Sequence, residues 1–424
     1  MPTAPMVTAR FADFITLNSQ AHGMMLRFCY PPHPVAFVPR EVLHGYLEKE
    51  DPVTSRPLMQ ELIDALTLPL SEKEKHPVIV KRPRYDRLLP PDTEDNLNRL
   101  FLENAWTDGL PIVLPTEERV AEMLTGTDHD PQEVVGRMAV TTHEERFEYT
   151  VEKVAVNAVM AGARPEHLPV LLAVAASKQA SMPSSTTSFI SMMVVNGPVR
   201  NEIGMNCSSG ALSPFNYANS VLGRTWTLMS INLGGAKIAE NFTATTGNGV
   251  NYNNMCCGEN EELSVWEPLH VQHGFKPGES AVTLFMGWTV IGFGDGHAQR
   301  MAEVIKSLGM GGATFIVDPL AAKNLKNEGF DTKQKLAAYL AEHGKTENAR
   351  RPRPLTADRI DFVVVGGEWN PFWMTTDFHY VRTLSVDKWI PKNGITKDAR
   401  PLRMPDPMNC RDGACGLPGR GAHS

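Results

Sequence analysis

The segment AVTLFMGWTVIGF (residues 281–293), followed by AQRMAEVIKSL (298–308) and ATFIV (313–317), indicates the fold class of this chain. The first and third runs are apolar and typical of buried strands, whereas the middle run has the periodicity of a helix. Two further helical segments within 319–343 and a strand at 360–365 continue the alternation. Such alternation predicts an α/β fold in which helices cover a layered mixed sheet.

Composition divides the 424 residues into four parts, since the chain is long for one compact core. Residues 1–75 are predicted to form a small, partial α/β unit, with a strand at 24–30. Residues 76–95, rich in Lys, Arg, Pro and Asp, are predicted to be a linker. Residues 96–400 then form a large α/β domain, and the Pro-, Gly- and Arg-rich residues 401–424 form a loose tail.

Charge and hydropathy exclude several classes of protein. The formal net charge of -7 lacks the basic excess that nucleic acids or anionic membranes require. No run approaches the roughly 18 apolar residues of a membrane span, and the first residues lack the pattern of a secretory signal. Six cysteines are too few for a disulfide scaffold. We therefore expect a cytoplasmic protein that binds neither nucleic acid nor membrane.

Asparagine and glycine are concentrated between Asn196 and His270, which makes this region the candidate site for a small-molecule substrate. Glycine lets a backbone approach a ligand closely, and asparagine offers both a donor and an acceptor. Any one of these residues alone could simply belong to a loop. The candidate substrate-binding residues are Asn196, Asn206, Arg224, Asn232, Gly234, Gly235 and Lys237.

An acidic segment followed by a histidine could carry acid/base chemistry. Glu259 and Glu262 precede His270, and carboxylates with an imidazole can move protons or bind a divalent metal. A solvated acidic loop is the alternative, although Trp266 and Leu269 indicate that the segment packs against the protein. The sequence assigns neither a metal nor a cofactor.

Three cysteines of the same region are candidates for thiol chemistry: Cys207, Cys256 and Cys257. A reactive thiol needs a lowered pKa, which the sequence alone does not show. Cys410 and Cys415 form a weak metal or redox pattern, since no second pair completes a four-ligand site.

Several segments resemble the UGSC-type (seleno)proteins, a family named for its selenocysteine-Gly-Ser-Cys motif. The matching segments are WTDGLPIV (106–113), PTEERV (115–120), EKVAVNAVMAG (152–162), VNGP (195–198), NLGGAK (232–237), ENEE (259–262) and WEPLHV (266–271). In longer members a redox-type domain with selenocysteine or cysteine precedes this region. Here residues 11–70 resemble only the closing half of that domain, and no Gly-Ser-Cys follows Cys29.

The resemblance leaves two explanations for the absent half. A second subunit could carry it, making the protein a hetero-oligomer, or the half has been lost. We favour the second subunit, because half an α/β domain leaves a sheet edge and apolar surface uncovered.

Three functions follow. The resemblance implies an enzyme, or the large subunit of one, acting on a small polar molecule by thiol-linked reductive or reductive-cleavage chemistry. The alternative is a lyase or hydratase in which Glu259 or Glu262 moves a proton, His270 assists, and Lys237 or Arg224 holds an anionic substrate. The third is a non-catalytic scaffold for a redox partner.

Overall fold

The computed structural model describes residues 3–21, 23–77, 86–138, 148–238, 242–308, 312–344 and 355–395. The predicted tail, with Cys410 and Cys415, lies outside the described residues, as do residues 78–85 of the predicted linker. The chain divides into two compact units between Asp92 and Thr93, and Ile238 belongs to the first unit.

The first unit is helical in its described residues. Its helices are α1 (Ala12–Ala21), α2 (Arg40–Tyr46), α3 (Leu58–Thr67) and α4 (Glu72–Lys75). A capping box between Ser71 and Glu74 starts α4. The predicted strand at 24–30 is wrong, since the only pairing of this segment among the described residues is a single bridge from Met6 to Cys29. Two residues after Cys29, the segment Pro31-Pro32-His33-Pro34 begins, and its three prolines lack the backbone donors that a longer ladder would need.

The second unit contains two four-stranded sheets and one small strand pair in the part of the chain that the structure describes. The strands are β1 (Val134–Gly136), β2 (Tyr149–Thr150), β3 (Ile190–Asn196), β4 (Cys256–Gly258), β5 (Ala281–Gly287), β6 (Val290–Asp295), β7 (Ala313–Val317), β8 (Ile360–Val364), β9 (Phe372–Thr376) and β10 (His379–Ser385). Sheet A has the order β10-β5-β3-β4, and sheet B has the order β6-β9-β7-β8. In sheet A, β3 pairs in parallel with the edge strand β4 and antiparallel with β5. In sheet B, β7 pairs in parallel with the edge strand β8 and antiparallel with β9.

Helices connect these strands and cover the sheets. They are α5 (Glu94–Glu103), α6 (Glu117–Leu124), α7 (Val151–Ala161), α8 (Leu168–Ala176), α9 (Val199–Glu202), α10 (Tyr217–Asn232), α11 (Leu269–Gln272), α12 (Ala298–Ile305), α13 (Pro319–Asn327) and α14 (Lys333–His343). None of the described helices is both long and apolar enough to cross a membrane.

The two sheets pack face to face between two layers of helices. Alternate residues of a strand point to opposite faces. Met193 and Val195 of β3 therefore join the core beneath α7, α8 and α10, whereas Met192 and Val194 pack against Ile316 and Val363 of sheet B. The outer face of sheet B packs against α12, α13 and α14. The predicted α/β class with layered mixed sheets is confirmed.

The chain crosses from one sheet to the other at two short connections between consecutive strands. The predicted strand at 281–293 is in fact two strands: β5 belongs to sheet A, and β6, two residues later, belongs to sheet B. The link from β9 to β10 returns the chain to sheet A in the same way. Asp377 holds the crossing, because its Oδ1 accepts hydrogen bonds from the backbone N–H groups of Trp288 (2.8 Å) and Thr289 (2.9 Å).

Candidate functional site

The carboxyl ends of the parallel strands meet at one place in the second unit. β3 and β4 are parallel, so Asn196 and Glu259 stand together at the same sheet edge. The N–H group of Asn260 donates to the carbonyl of Val364 at the end of β8 (2.7 Å), which joins this edge to sheet B. Ligand sites of α/β proteins commonly lie beyond the carboxyl ends of strands. We call the polar residues here the strand-end cluster: Asn196, Arg200, Cys207, Glu259, Glu261, Glu262 and Lys333.

Glu259 forms the centre of the strand-end cluster. Its side chain has 0% exposure, and Lys333 at the start of α14 has 3%. The Lys333 Nζ lies 2.8 Å from Glu259 Oε1. The second oxygen accepts from Asn196 Nδ2 (2.6 Å) and from the backbone N–H of Leu269 (2.7 Å). Both oxygens of this buried carboxylate therefore accept hydrogen bonds, one of them from a charged donor.

Arg200 carries the second ion pair of the cluster. Its buried guanidinium donates to Glu262 Oε1 (2.6 Å) and Glu261 Oε1 (3.2 Å). Burial acts to lower the pKa of Arg200, but the hydrogen bond to Glu262 and the two carboxylate charges outweigh burial and leave the pKa raised. The same hydrogen bond lowers the pKa of Glu262, whose side chain is exposed. Glu262 is therefore a fixed anion at the rim.

Cys207 lies beside Arg200 on the loop that follows α9. Arg200 Nη1 is 3.7 Å from the Cys207 Sγ. Burial raises the pKa of this thiol, and the Arg200 charge offsets that effect only in part. At neutral pH the side chain is therefore a thiol that has a cation within reach.

Cys256 and Cys257 are fully built into β4. The Cys256 Sγ contacts the sulfur of Met193 (3.5 Å), and Cys257 belongs to the core between the sheets. Burial raises the pKa of both thiols well above the ordinary value. These two residues do not have the exposure or the electropositive surroundings of reactive cysteines.

A second polar pair lies close enough to Lys333 to feel its charge. Asp361 lies on β8 and points to the face opposite to that of Phe362 and Val364. Its Oδ1 is 3.9 Å from the His273 Nε2. Burial raises the pKa of Asp361 to about 7, and Lys333 counteracts that rise. Burial, with a contribution from Lys333, lowers the pKa of His273 to about 4. The His273 ring stacks on Tyr380 at 4.0 Å, and Tyr380 is exposed.

Four buried side-chain atoms in this region have no hydrogen-bond partner among the described residues: Asn196 Oδ1, His270 Nδ1, His273 Nε2 and Asp361 Oδ2. His270 Nε2 donates to the carbonyl of Lys276 (3.2 Å), which leaves Nδ1 as a free acceptor. Nearly all buried polar groups in proteins are paired, so these atoms call for water or ligand partners. Three of these atoms lie near the Glu259–Lys333 ion pair, because Asn196 binds Glu259 and the Lys333 charge acts on both Asp361 and His273.

The remaining predicted residues do not join the strand-end cluster. Asn206 Nδ2 donates to Asn216 Oδ1 (2.8 Å), and its backbone N–H donates to Asn219 Oδ1 (3.0 Å), so it shapes the loop before α10. Arg224 pairs with Asp108 (2.8 Å) on the flank of that helix.

The far end of α10 holds the other four. Asn232 donates to Asn157 Oδ1 (2.8 Å), and Gly234 donates to the carbonyl of Met229 (3.0 Å). Gly235 has a positive φ of 70°, and Lys237 is exposed. The 16 residues of α10 span about 24 Å, so this end lies far from the start of the helix, where Asn219 binds Asn206, the residue before Cys207.

Comparison with protein-family models, with curated proteins and with solved structures finds no match for this chain. The assignment of the candidate site therefore depends on the geometry of its residues alone. Within the described ranges, no group of three or more His, Cys, Asp or Glu side chains is arranged to hold a metal ion.

Sequence reasoning missed Arg200, Glu261, His273, Lys333 and Asp361. Asp361 had a readable signal, because a carboxylate inside the apolar run IDFVVV must face a buried layer. Arg200 follows Asn196-Gly197-Pro198, where a strand ends, and could have been assigned to the site on position. Lys333 had no such signal, since it resembles any lysine in the first turn of an amphipathic helix.

Proposed function

We propose that this chain is an enzyme that transfers a proton to or from a small polar molecule, in the lyase or hydratase class. The observation that carries the proposal is the set of three unpartnered buried atoms, on Asn196, His273 and Asp361, near the Glu259–Lys333 ion pair. A protein that built this region for stability alone would leave fewer polar atoms unsatisfied, because each one costs free energy.

Asp361 is the proposed acid/base group. A pKa of about 7 places both of its protonation states within reach near neutral pH, and its Oδ2 has no partner among the described residues. The neutral His273 beside it can donate or accept a hydrogen bond. In this scheme Glu259 positions Lys333 and Asn196 rather than moving the proton, because its oxygens already accept charged and neutral donors.

Hydrogen–deuterium exchange into substrates tests the proposal without knowledge of the product. The protein is incubated in D2O with panels of hydroxy acids, keto acids and amino acids, and carbon-bound deuterium is detected by mass spectrometry. We expect exchange into at least one compound and its loss in Asp361→Asn. Asp358→Asn, an exposed carboxylate three residues earlier, is the matched control and should exchange as the wild type does. Equal exchange in Asp361→Asn would contradict the proposal.

The second candidate function is thiol-linked reductive chemistry at Cys207. Its support is the Arg200 guanidinium at 3.7 Å from the sulfur, which would stabilise a thiolate formed during turnover. The resemblance to the UGSC-type family favours the same class. If Cys207→Ser abolished turnover of a substrate that Asp361→Asn still converted, this candidate would replace the first.

We also propose a partner subunit that covers the first unit. Large apolar side chains are exposed there, among them Leu17, Phe37, Leu68 and Leu70, and Phe37 has 96% exposure. Apolar surface of this kind is typical of an interface. Native mass spectrometry of the protein from its own cells should find a second chain, whereas a monomer or bare homo-oligomer would remove this proposal. A cytoplasmic location belongs to the proposal, and the free state of the four described cysteines supports it.

If neither Asp361→Asn nor Cys207→Ser changed any activity of such a complex, the chain would be a scaffold for that partner.

A further inference from the structure

Cys207, Arg200 and Glu262 form a chain of contacts that runs from a partly buried thiol to an exposed carboxylate. Arg200 Nη1 lies 3.7 Å from the Cys207 Sγ, and Arg200 Nη2 lies 2.6 Å from Glu262 Oε1. The Arg200 side chain has 4% exposure, whereas the Glu262 side chain has 58%. The guanidinium therefore connects the thiol to a carboxylate that solvent reaches.

The guanidinium is also held by contacts that do not involve Glu262. Arg200 Nε donates to Glu261 Oε1 (3.2 Å). The same oxygen accepts from Asn196 Nδ2 (3.0 Å) and from the backbone N–H of Gly197 (2.7 Å), so Glu261 is itself fixed in place. Arg200 therefore keeps an anchor in the strand-end cluster when Glu262 loses its charge.

Gly258 fixes the separation of the thiol and the guanidinium. A Cβ atom built on this glycine would lie 3.5 Å from the Cys207 Cβ and 3.6 Å from the Arg200 Cδ. Both side chains therefore pack against the end of β4. Their distance depends on this packing as well as on the ion pair at the far side of Arg200.

The charges around Cys207 act on it in opposite directions. Burial raises the pKa of Cys207, the Arg200 charge lowers this pKa, and the Glu262 charge raises it again. Cys257 on β4 also interacts with Cys207, but burial raises the pKa of Cys257 so far that it stays a neutral thiol. Two carboxylates, on Glu261 and Glu262, thus share the one guanidinium that could stabilise a thiolate.

We propose that Glu262 holds Cys207 in its unreactive thiol form by compensating the charge of Arg200. Without the Glu262 charge, Arg200 acts on the sulfur more strongly and favours the thiolate, which is the nucleophilic form. Glu262 therefore sets the reactivity of Cys207 through Arg200 and moves no proton itself. The inference rests on the second candidate function, in which Cys207 is the reactive thiol.

The pH dependence of Cys207 alkylation in the full chain tests the proposal. The rate of modification by iodoacetamide is measured by peptide mass spectrometry from about pH 6 to about pH 11. Glu262→Gln should move the midpoint of the rate profile down by about one pH unit. At neutral pH the thiolate fraction then rises about tenfold while its nucleophilicity falls about threefold, so the rate should rise about threefold.

Two further variants bracket this result. Glu267→Gln changes an exposed glutamate in the same segment and is the matched control, which should keep the wild-type profile. Arg200→Gln removes the cation and should move the midpoint up by at least about one pH unit. If the buried Arg200→Gln variant does not fold, the comparison of Glu262→Gln with Glu267→Gln still decides the question.

A purely structural role of Glu262 gives a different profile, because a loosened loop exposes the thiol and raises the rate at every pH without moving the midpoint. An unchanged midpoint in Glu262→Gln, or an equal shift in Glu267→Gln, would overturn the proposal. Failure of the second candidate function is a separate result, since Cys207→Ser would then keep its turnover while the alkylation midpoint still shifts in Glu262→Gln.

Discussion

Replacing Lys333 by methionine removes one partner of the buried ion pair and leaves Glu259 charged in the interior. At 2.8 Å, with an effective dielectric constant of about 20, the attraction that is lost is about 6 kcal/mol. Asn196 Nδ2 and the Leu269 N–H still donate to the carboxylate and recover part of it. We therefore expect the free energy of unfolding to fall by about 3 kcal/mol, the lower end for an orphaned buried charge.

Urea unfolding followed by tryptophan fluorescence measures this loss of stability in the second unit, which contains Lys333 and Glu259. All seven tryptophans follow Thr93, so the signal reports only on the second unit. With an m-value of about 3 kcal/mol/M, the midpoint should fall by about 1 M. Lys335→Met, on the same helix but exposed and paired with Asp331, should change stability by less than about 0.5 kcal/mol.

The double variant Lys333→Met with Glu259→Gln completes the cycle. Removing both charges avoids an orphaned ion, so the double variant should be more stable than the sum of the two single effects predicts. A loss below about 1 kcal/mol in Lys333→Met, or simple additivity in the cycle, would refute the description of Glu259 and Lys333 as a coupled buried pair.

Three further predictions concern protonation, thiols and packing. Because Asp361 has a folded pKa raised to about 7, it binds a proton more tightly in the folded state, so its contribution to stability is complete at low pH and is lost as pH rises to about 7. The unfolding free energy of the wild type relative to Asp361→Asn should fall by up to about 4 kcal/mol between pH 4 and 7, and a flat difference would contradict the raised pKa. His273 acts in the opposite sense, since its lowered pKa takes stability away as pH falls below the ordinary histidine range. Iodoacetamide mapping by mass spectrometry should find Cys207 modified slowly at pH 7 and faster above pH 9, and Cys256 and Cys257 modified only in denaturant; early labelling of either would show that β4 opens. Gly223→Ala should destabilise the protein by more than about 2 kcal/mol, because its Cβ would meet the Asn253 carbonyl oxygen at 1.8 Å. The control is Gly45→Ala in α2, whose Cβ meets nothing within 4 Å and which should be neutral or stabilising by up to about 1 kcal/mol. Equal thermal midpoints for the two variants would refute the close approach at Gly223.

Local patterns predicted the elements of the second unit well. The helical run at 298–308 contains α12, and the apolar runs at 313–317 and 360–365 contain β7 and β8. These patterns reflect burial of one face or both, which is a property of neighbouring residues. They carry no information about which strand pairs with which, so the division of residues 281–293 between two sheets was not predictable from hydropathy.

The candidate site was predictable only where chemistry and chain position coincide. Asn196 and Glu259 stand at strand ends and do meet, as clustering between Asn196 and His270 suggested. Arg224, Asn232 and Lys237 lie in the same interval of sequence, but α10 carries them away from the strand ends. Lys333 and Asp361 come from elements about 70 to 100 residues later, and only the packing of sheet B against sheet A brings them to Glu259. Sequence patterns near Glu259 therefore could not predict the residues that distant elements bring to the site.

The exchange of strands between the sheets also sets the order in which the protein can fold during synthesis. Sheet A begins at Ile190 but receives its last strand only when residues up to Ser385 have left the ribosome. Until then β5 presents an unpaired edge, and such edges pair readily with other chains. Pairing across so long a sequence separation is slow, so a nascent or truncated chain that stops before His379 should depend on chaperones to remain free of aggregation.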